Sequence, residues 1–147
     1  MADAQGDIIR TFAVLIIKGL CKTNDAEVVG NMVAYDTDGW ASATNAHEGP
    51  FGVCMTAITI TSGQVAMEIM VKGAVRVFKK TGAAIENGQG VMASSTAGAV
   101  MAFTIADVGA TPSQASINAS LLDAATRMGT CIKDAASGAA IVDIVLL

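Results

Sequence analysis

Apolar residues arrive along the chain in short runs separated by glycine-containing turns, and no heptad or sustained 3.6-residue period crosses the first hundred positions. This pattern predicts β-strands joined by tight turns. Candidate strands are Thr11 to Ile17, Asn31 to Tyr35, Gly52 to Ile60, Gln64 to Met70, Ala74 to Phe78, Gly90 to Ser94, Val100 to Thr104, Arg127 to Lys133 and Ala140 to Leu146. Turns are expected at Asp38-Gly39, Ser62-Gly63, Asn87-Gly88, Ala97-Gly98 and Ser137-Gly138, where glycine accepts the positive φ of tight turns. One stretch breaks the pattern. Thr111-Pro112-Ser113-Gln114 offers an N-cap, a proline at the first helical position and a glutamine three residues on, followed by Ile117, Leu121 and Leu122. A short helix is expected between Thr111 and Thr126, packing one apolar edge on the sheet or lying in an extended loop.

The expected fold is therefore all-β, a small β-barrel or sandwich with one short helix in an insertion. The order of phrases along the chain predicts two related halves. Ile17-Lys18-Gly19-Leu20 matches Val71-Lys72-Gly73-Ala74, Gly30, Val33 and Gly39 match Gly88, Val91 and Gly98, and Phe51-Gly52-Val53-Cys54 matches Met128-Gly129-Thr130-Cys131. Gly30 and Gly52 are 22 residues apart while Gly88 and Gly129 are 41 apart, and the surplus of 19 is about the length of the helical segment. The organisation expected is one domain over 1–147 with an N-terminal arm at 1–10, halves at about 17–54 and 71–131, and an insertion at about 106–126. Two units are too few for a solenoid, so a pairing about a pseudo-twofold is expected.

Composition narrows the partners. Of 147 residues, 52% are hydrophobic and 15% charged, against a usual charged fraction of about 25%, so much of the surface must be covered by other protein. The apolar run Phe12 to Ile17, fenced by Arg10 and Lys18, is far short of the ~20 residues a spanning helix needs, which argues against a membrane. Asp3 and Asp7 stand where a signal peptide carries positive charge, so cytoplasmic synthesis without export is expected. The net charge of −4 argues against a nucleic-acid partner. Arg76, Lys79 and Lys80, which come nearest to a basic cluster, read as a solvated strand end.

Catalytic candidates are few. His47 lies in a polar loop with no nucleophile at a matching spacing, and Cys21, Cys54 and Cys131 lack the spacing of a zinc site or disulfide framework, so buried reduced thiols are expected. Asp36, Asp38 and Gly39 start like a calcium loop, but position 47 is His47 where the bidentate glutamate belongs, and a hairpin turn is the better reading. Gly82, Gly88 and Gly90 read as turn glycines rather than a phosphate loop. The methionines read as core, with interface also open, and Trp40 either caps the barrel or anchors a partner. No catalytic residue, cofactor or metal is expected.

The phrases Phe51-Gly52-Val53-Cys54, Ser62-Gly63-Gln64-Val65, Val71-Lys72-Gly73-Ala74-Val75, Ile85 to Val91, Met128 to Cys131 and Ala136 to Val142 give the chain a cadence that resembles the capsid cement or head-decoration family of tailed bacteriophages. The resemblance runs from about Ile16 to Leu147, and the insertion from Ala106 to Thr126 departs from it. It implies a small β-barrel or sandwich, commonly trimeric, on the outside of an icosahedral shell, with the major capsid protein and copies of itself as partners and no catalytic residues. The expectation is then a capsid decoration protein of the virion, stabilising the assembled shell, with a filament or surface-fibre subunit polymerising by strand donation as the alternative. Ile8, Ile9, Arg10 and Trp40 are the partner-binding candidates.

Overall fold

A computed structural model describes residues 5–6, 14–47, 49–105 and 107–146. Its elements are β1 (Leu15–Leu20), β2 (Ala26–Glu27), β3 (Met32–Asp36), β4 (Gly39–Ser42), β5 (Phe51–Cys54), β6 (Ile58–Thr59), β7 (Ala66–Phe78), β8 (Gly90–Ala93), β9 (Val100–Ala102), α1 (Gln114–Ala125), β10 (Arg127–Lys133) and β11 (Ile141–Leu146). The chain is all-β with one short helix, and its main sheet is antiparallel and runs β4-β3-β5-β7-β11-β10-β8-β9, with β1 also on β7. The expected strands Gln64 to Met70 and Ala74 to Phe78 are one strand of 13 residues. Its first part pairs with β1 and β5 and its last part with β11. Gly73, at φ +129°, marks the change of partner, a backbone conformation that residues with a Cβ avoid.

Dividing β7 at Gly73 leaves two units with the same strand order. The first reads β4-β3-β5-β7-β1 and the second β9-β8-β10-β11-β7, so in each the first strand in sequence lies beside the last. Hydrogen bonds repeat atom for atom. The N–H groups of Gly30 and Cys54 donate to the carbonyls of Cys54 and Asn31, and those of Gly88 and Cys131 donate to the carbonyls of Cys131 and Gln89. Cys54 Sγ donates to Thr56 O at 3.1 Å and Cys131 Sγ to Lys133 O at 3.0 Å. Each unit curls until its first strand meets its hairpin, through the parallel bridges Cys21 to Trp40 and Lys79 to Val100.

This register corrects part of the sequence alignment. Gly30, Val33, Gly52 and Cys54 do match Gly88, Val91, Gly129 and Cys131, but the pairings of Ile17 with Ile69 and of Val75 with Ile144 place Ile17–Leu20 on Val75–Phe78 rather than on Val71–Ala74. The counterpart of Gly39 is Ala99, because the β8–β9 turn is longer than Thr37-Asp38. The loop over 43–50 in the first unit becomes 103–126 in the second, and it carries α1. That helix starts one turn signal later than expected. Ser113, not Thr111, is the N-cap, and it forms a capping box with Ser116.

Packing between the units is one-directional. Cys21, Val33, Trp40, Cys54, Ile58, Met67 and Ile69 fill the first unit. The equivalent positions Val91, Val100, Cys131, Ala135, Val142 and Ile144 fill the second, joined by Met32, Ala34, Ala43, Val53 and Met70 from the outer face of the first. Among the described residues four backbone hydrogen bonds cross this boundary: Phe78 N to Gly30 O, Met32 N to Gly98 O, Gly98 N to Ala43 O and Asn45 N to Ser94 O. A pseudo-twofold would bring Gly88 to Leu20 in return. Instead Leu20 is 53% exposed and a Cβ on Gly88 would meet nothing within 4 Å. The contact is therefore not reciprocal, as the expected pseudo-twofold would require.

Candidate interaction surface

The polar residues singled out in the sequence are engaged in building loops. His47 accepts the Thr44 N–H on Nδ1 at 3.1 Å, closing its loop on itself. Asp36 accepts from Thr37 N at 2.7 Å and from Lys22 Nζ at 3.1 Å, and Asp38 accepts from Thr23 N at 3.0 Å. The Thr37 amide and then the Lys22 ammonium hold the Asp36 carboxyl below its ordinary range, and the Thr23 hydrogen bonds do the same for Asp38. These two carboxylates and Lys22 tie the β3–β4 turn to the segment after β1. Gly39, at φ +144°, permits the approach, since a Cβ there would lie 2.6 Å from Cys21 O.

All three cysteines are buried and free. Burial pushes the Cys54 thiol up to about 11 and raises that of Cys131 as well, the opposite of what a nucleophile needs. Among the described residues no three His, Cys, Asp or Glu side chains gather as a metal site, and no helix is long and apolar enough to cross a membrane.

Of the basic stretch only Lys80 is solvated. Arg76 and Lys79 are 6% and 4% exposed. Arg76 donates to Asp143 through Nε at 2.6 Å and through Nη2 at 2.9 Å, a two-bonded clamp across β7 and β11. Lys79 donates to the carbonyls of Lys80, Ser137 and Ala139, and burial lowers its pKa. Alternation could not reveal this, because β7 alternates only in its first part and is covered on both faces from Gly73 to Val77. In the first unit the buried carboxylate is Glu27, whose Oε1 accepts from Ser42 N at 2.7 Å while Oε2 accepts from Asn31 Nδ2 at 2.9 Å and Ser42 Oγ at 2.8 Å. Its unit-two counterpart is Ile85, since Glu27 pairs with Ile58 and Ile85 with Ala135.

Of the four partner-binding candidates, Ile8, Ile9 and Arg10 lie outside the described residues. Gly6, within the expected arm, is buried against Val29 and Gly30 and donates its N–H to Arg76 O, so there the chain lies on the body. Trp40 is 7% exposed and packs edge-on against Tyr35 with ring centroids 5.9 Å apart. Its indole fills the first unit, and the exposed aromatic ring is that of Tyr35. The exposed large aliphatic residues among those described are Val14, Leu15, Ile16 and Leu20 on and just before β1, with Val65 in the segment before β7; Val28 after β2; Ile105 after β9; and Ile117, Leu121 and Leu122 on α1. The helix turns its apolar edge outward rather than onto the sheet. That edge was visible in the sequence as i, i+4, i+5 spacing; the exposure of β1 was not.

The architecture defines a class: a small antiparallel β protein built from two units on one plan, with exposed apolar residues on β1 and α1. No protein-family model matches the chain, and no curated protein matches it. Among solved structures it is similar to one described as the crystal structure of head fiber gp8.5 N base in bacteriophage phi29, with a TM-score of 0.56 and 14% identity, covering 90% of this chain and 95% of that one. At that identity the likeness is one of fold.

Proposed function

We propose that this chain is a structural protein of a bacteriophage particle, a decoration or cement protein that sits on the outside of the assembled capsid and stabilises it. Its partners are the major capsid protein and further copies of itself in a closed homo-oligomer, a trimer in the reading the sequence favours. It acts without catalysis, cofactor or metal, and neither nucleic acid nor membrane is a partner. The observation that carries the reading is the likeness in fold to a phage head fiber base over nearly the whole of both chains. The sequence cadence that resembles phage decoration proteins points the same way. A charge-poor chain of small β units with apolar residues on β1 and α1 gains by being covered.

Cement action needs only linkage. A protein that binds the assembled shell better than its free subunits stabilises the shell by about 2.7 kcal/mol per site at a hundred times its dissociation constant. Synthesis in the host cytoplasm and residence in the virion follow from this role. A second reading, the base of a head fibre or a filament subunit, is favoured by the name of the similar structure. Co-sedimentation with purified empty capsids tests the proposal. The protein is expected to pellet with shells at a fixed stoichiometry and to raise their melting temperature. Protein that stays in the supernatant overturns it, and open-ended polymers in the absence of shells favour the second reading.

A further inference from the structure

The contact between the two units supplies a template for the contact between copies. The outer face of the first unit, with Met32, Ala34, Ala43, Val53 and Met70 all at 0% exposure, plugs the second unit. The loop before β3 enters beside β7, where Phe78 N donates to Gly30 O, and beside the β8–β9 turn, where Met32 N donates to Gly98 O. Because this contact is not reciprocal, the chain is left with one unused copy of each surface. On the second unit the plug positions that stay half-buried or exposed are Gly88, Gly90, Phe103, Ile105, Thr130 and Val145, while Met92, the counterpart of Ala34, is already buried. On the first unit the receiving surface is repeated by β1 and the Asp36–Asp38 turn.

Exposure differs between equivalent positions accordingly. In β7, Ala74, Val75 and Val77 are 0% exposed and Arg76 is 6% exposed. Their counterparts Ile16, Ile17, Gly19 and Lys18 are half-buried or exposed, Ile16 at 41%. Leu20, the counterpart of half-buried Phe78, is 53% exposed, and Phe103, the counterpart of the fully buried Ala43, is half-buried. The edge of β7 is capped at Arg76 O by Gly6 and at Phe78 N by Gly30, whereas no hydrogen bond among the described residues caps β1 at Lys18 O or Leu20 N.

We infer that a second copy of this chain covers β1, its Glu86–Gly90 loop and Phe103–Ile105 face seating on the Leu20 edge and the Asp36–Asp38 turn as Val28–Met32 and Ala43–Asn45 seat on the second unit. Charge permits it. Glu86 takes the place of Val28, which stays 52% exposed in the internal contact, so its carboxylate is not driven into the interface. The contact is head-to-tail, and such contacts close into a ring or run on as a filament. The inference rests on the self-association proposed above and deepens it by naming the two surfaces that meet.

Light scattering on purified protein with Leu20→Glu and Phe103→Glu tests it, circular dichroism confirming the fold, with Thr37→Trp replacing Leu20→Glu if that variant does not fold. Each variant alone is expected at the monomer mass of 14.8 kDa where the parent is larger. Each keeps one intact surface, so an equimolar mixture is expected to form a complex of twice that mass and nothing beyond it. Variants that retain the parent's mass, or a mixture that stays monomeric, overturn the head-to-tail contact while leaving self-association standing. A monomeric parent overturns both.

Discussion

β1 and the last part of β7 hold the same place in two units of one plan, yet chemistry has diverged around them. The pairing of Arg76 with Asp143 across β7 and β11 is matched by that of Lys18 with Glu68 across β1 and β7. The first is a buried two-bonded ion pair, while Lys18 and Glu68 are exposed. Lys18 can keep its head in water on a long stem, whereas a cation at 76 is enclosed and needs the planar fork of arginine to hold both carboxylate oxygens. The difference follows from coverage: the first unit lies on the second, and among the described residues nothing lies in the same way on the first.

Breaking that clamp is the largest effect the comparison predicts. Arg76→Ala leaves Asp143 buried without its partner and is expected to cost about 3–5 kcal/mol in urea unfolding. The equivalent Lys18→Ala should fall within about 0.5 kcal/mol of the parent, as exposed substitutions do. Joint replacement by Arg76→Met and Asp143→Leu should recover most of the loss, because removing both charges also removes their desolvation. Equal costs at positions 18 and 76 would end the distinction between a covered and an uncovered strand.

A smaller effect is expected at Gly39. Its counterpart Ala99 already carries a Cβ, whereas a Cβ on Gly39 would meet Cys21 O at 2.6 Å and adopt φ +144°. Gly39→Ala is expected to destabilise by about 1–3 kcal/mol, while Ala99→Gly should cost less than about 1 kcal/mol. Melting of the two variants side by side measures the asymmetry.

Smallest is the pH effect of Glu27 in the place of Ile85. Burial, aided by the neighbouring Asp25 carboxylate, raises the Glu27 pKa above its ordinary value, against the pull of Asn31 and Ser42. A raised folded value means that the native state binds the proton more tightly. This contribution is complete below the unfolded value of about 4.3 and is lost as pH rises through the folded one. Asp36 and Asp38, with lowered values, act with opposite sign, stabilising above about 3.9 and losing that as pH falls. Denaturant midpoints measured upward from pH 4.5 should therefore decline more steeply in the parent than in Glu27→Gln. Identical slopes would remove Glu27 from the balance.

Much of this plan was legible in the sequence where residue type and local geometry coincide. Matched glycine and cysteine positions located the duplicated β3–β5 and β8–β10 regions, because Gly52 and Gly129 both lie where strand neighbours come close. Elsewhere two local signals misled. The lysine-glycine phrases at Ile17–Leu20 and Val71–Ala74 look alike, but one is an edge strand and the other the kink of β7 at Gly73, so the register slipped by four residues. β4 was missed because Gly39-Trp40-Ala41-Ser42 is short and all small residues but Trp40, and only its pairing with β3 makes it a strand. The burial of Arg76 and Trp40 is a property of the packed units that no local pattern carries.

The central claim is preferential attachment to an assembled shell, and titration of labelled protein against empty capsids and against the same capsid protein kept as unassembled subunits tests it most directly. Binding is expected to be at least about 100-fold tighter to shells, which corresponds to about 2.7 kcal/mol of stabilisation at each site. Equal affinity for shells and free subunits, or for neither, would contradict a cementing role.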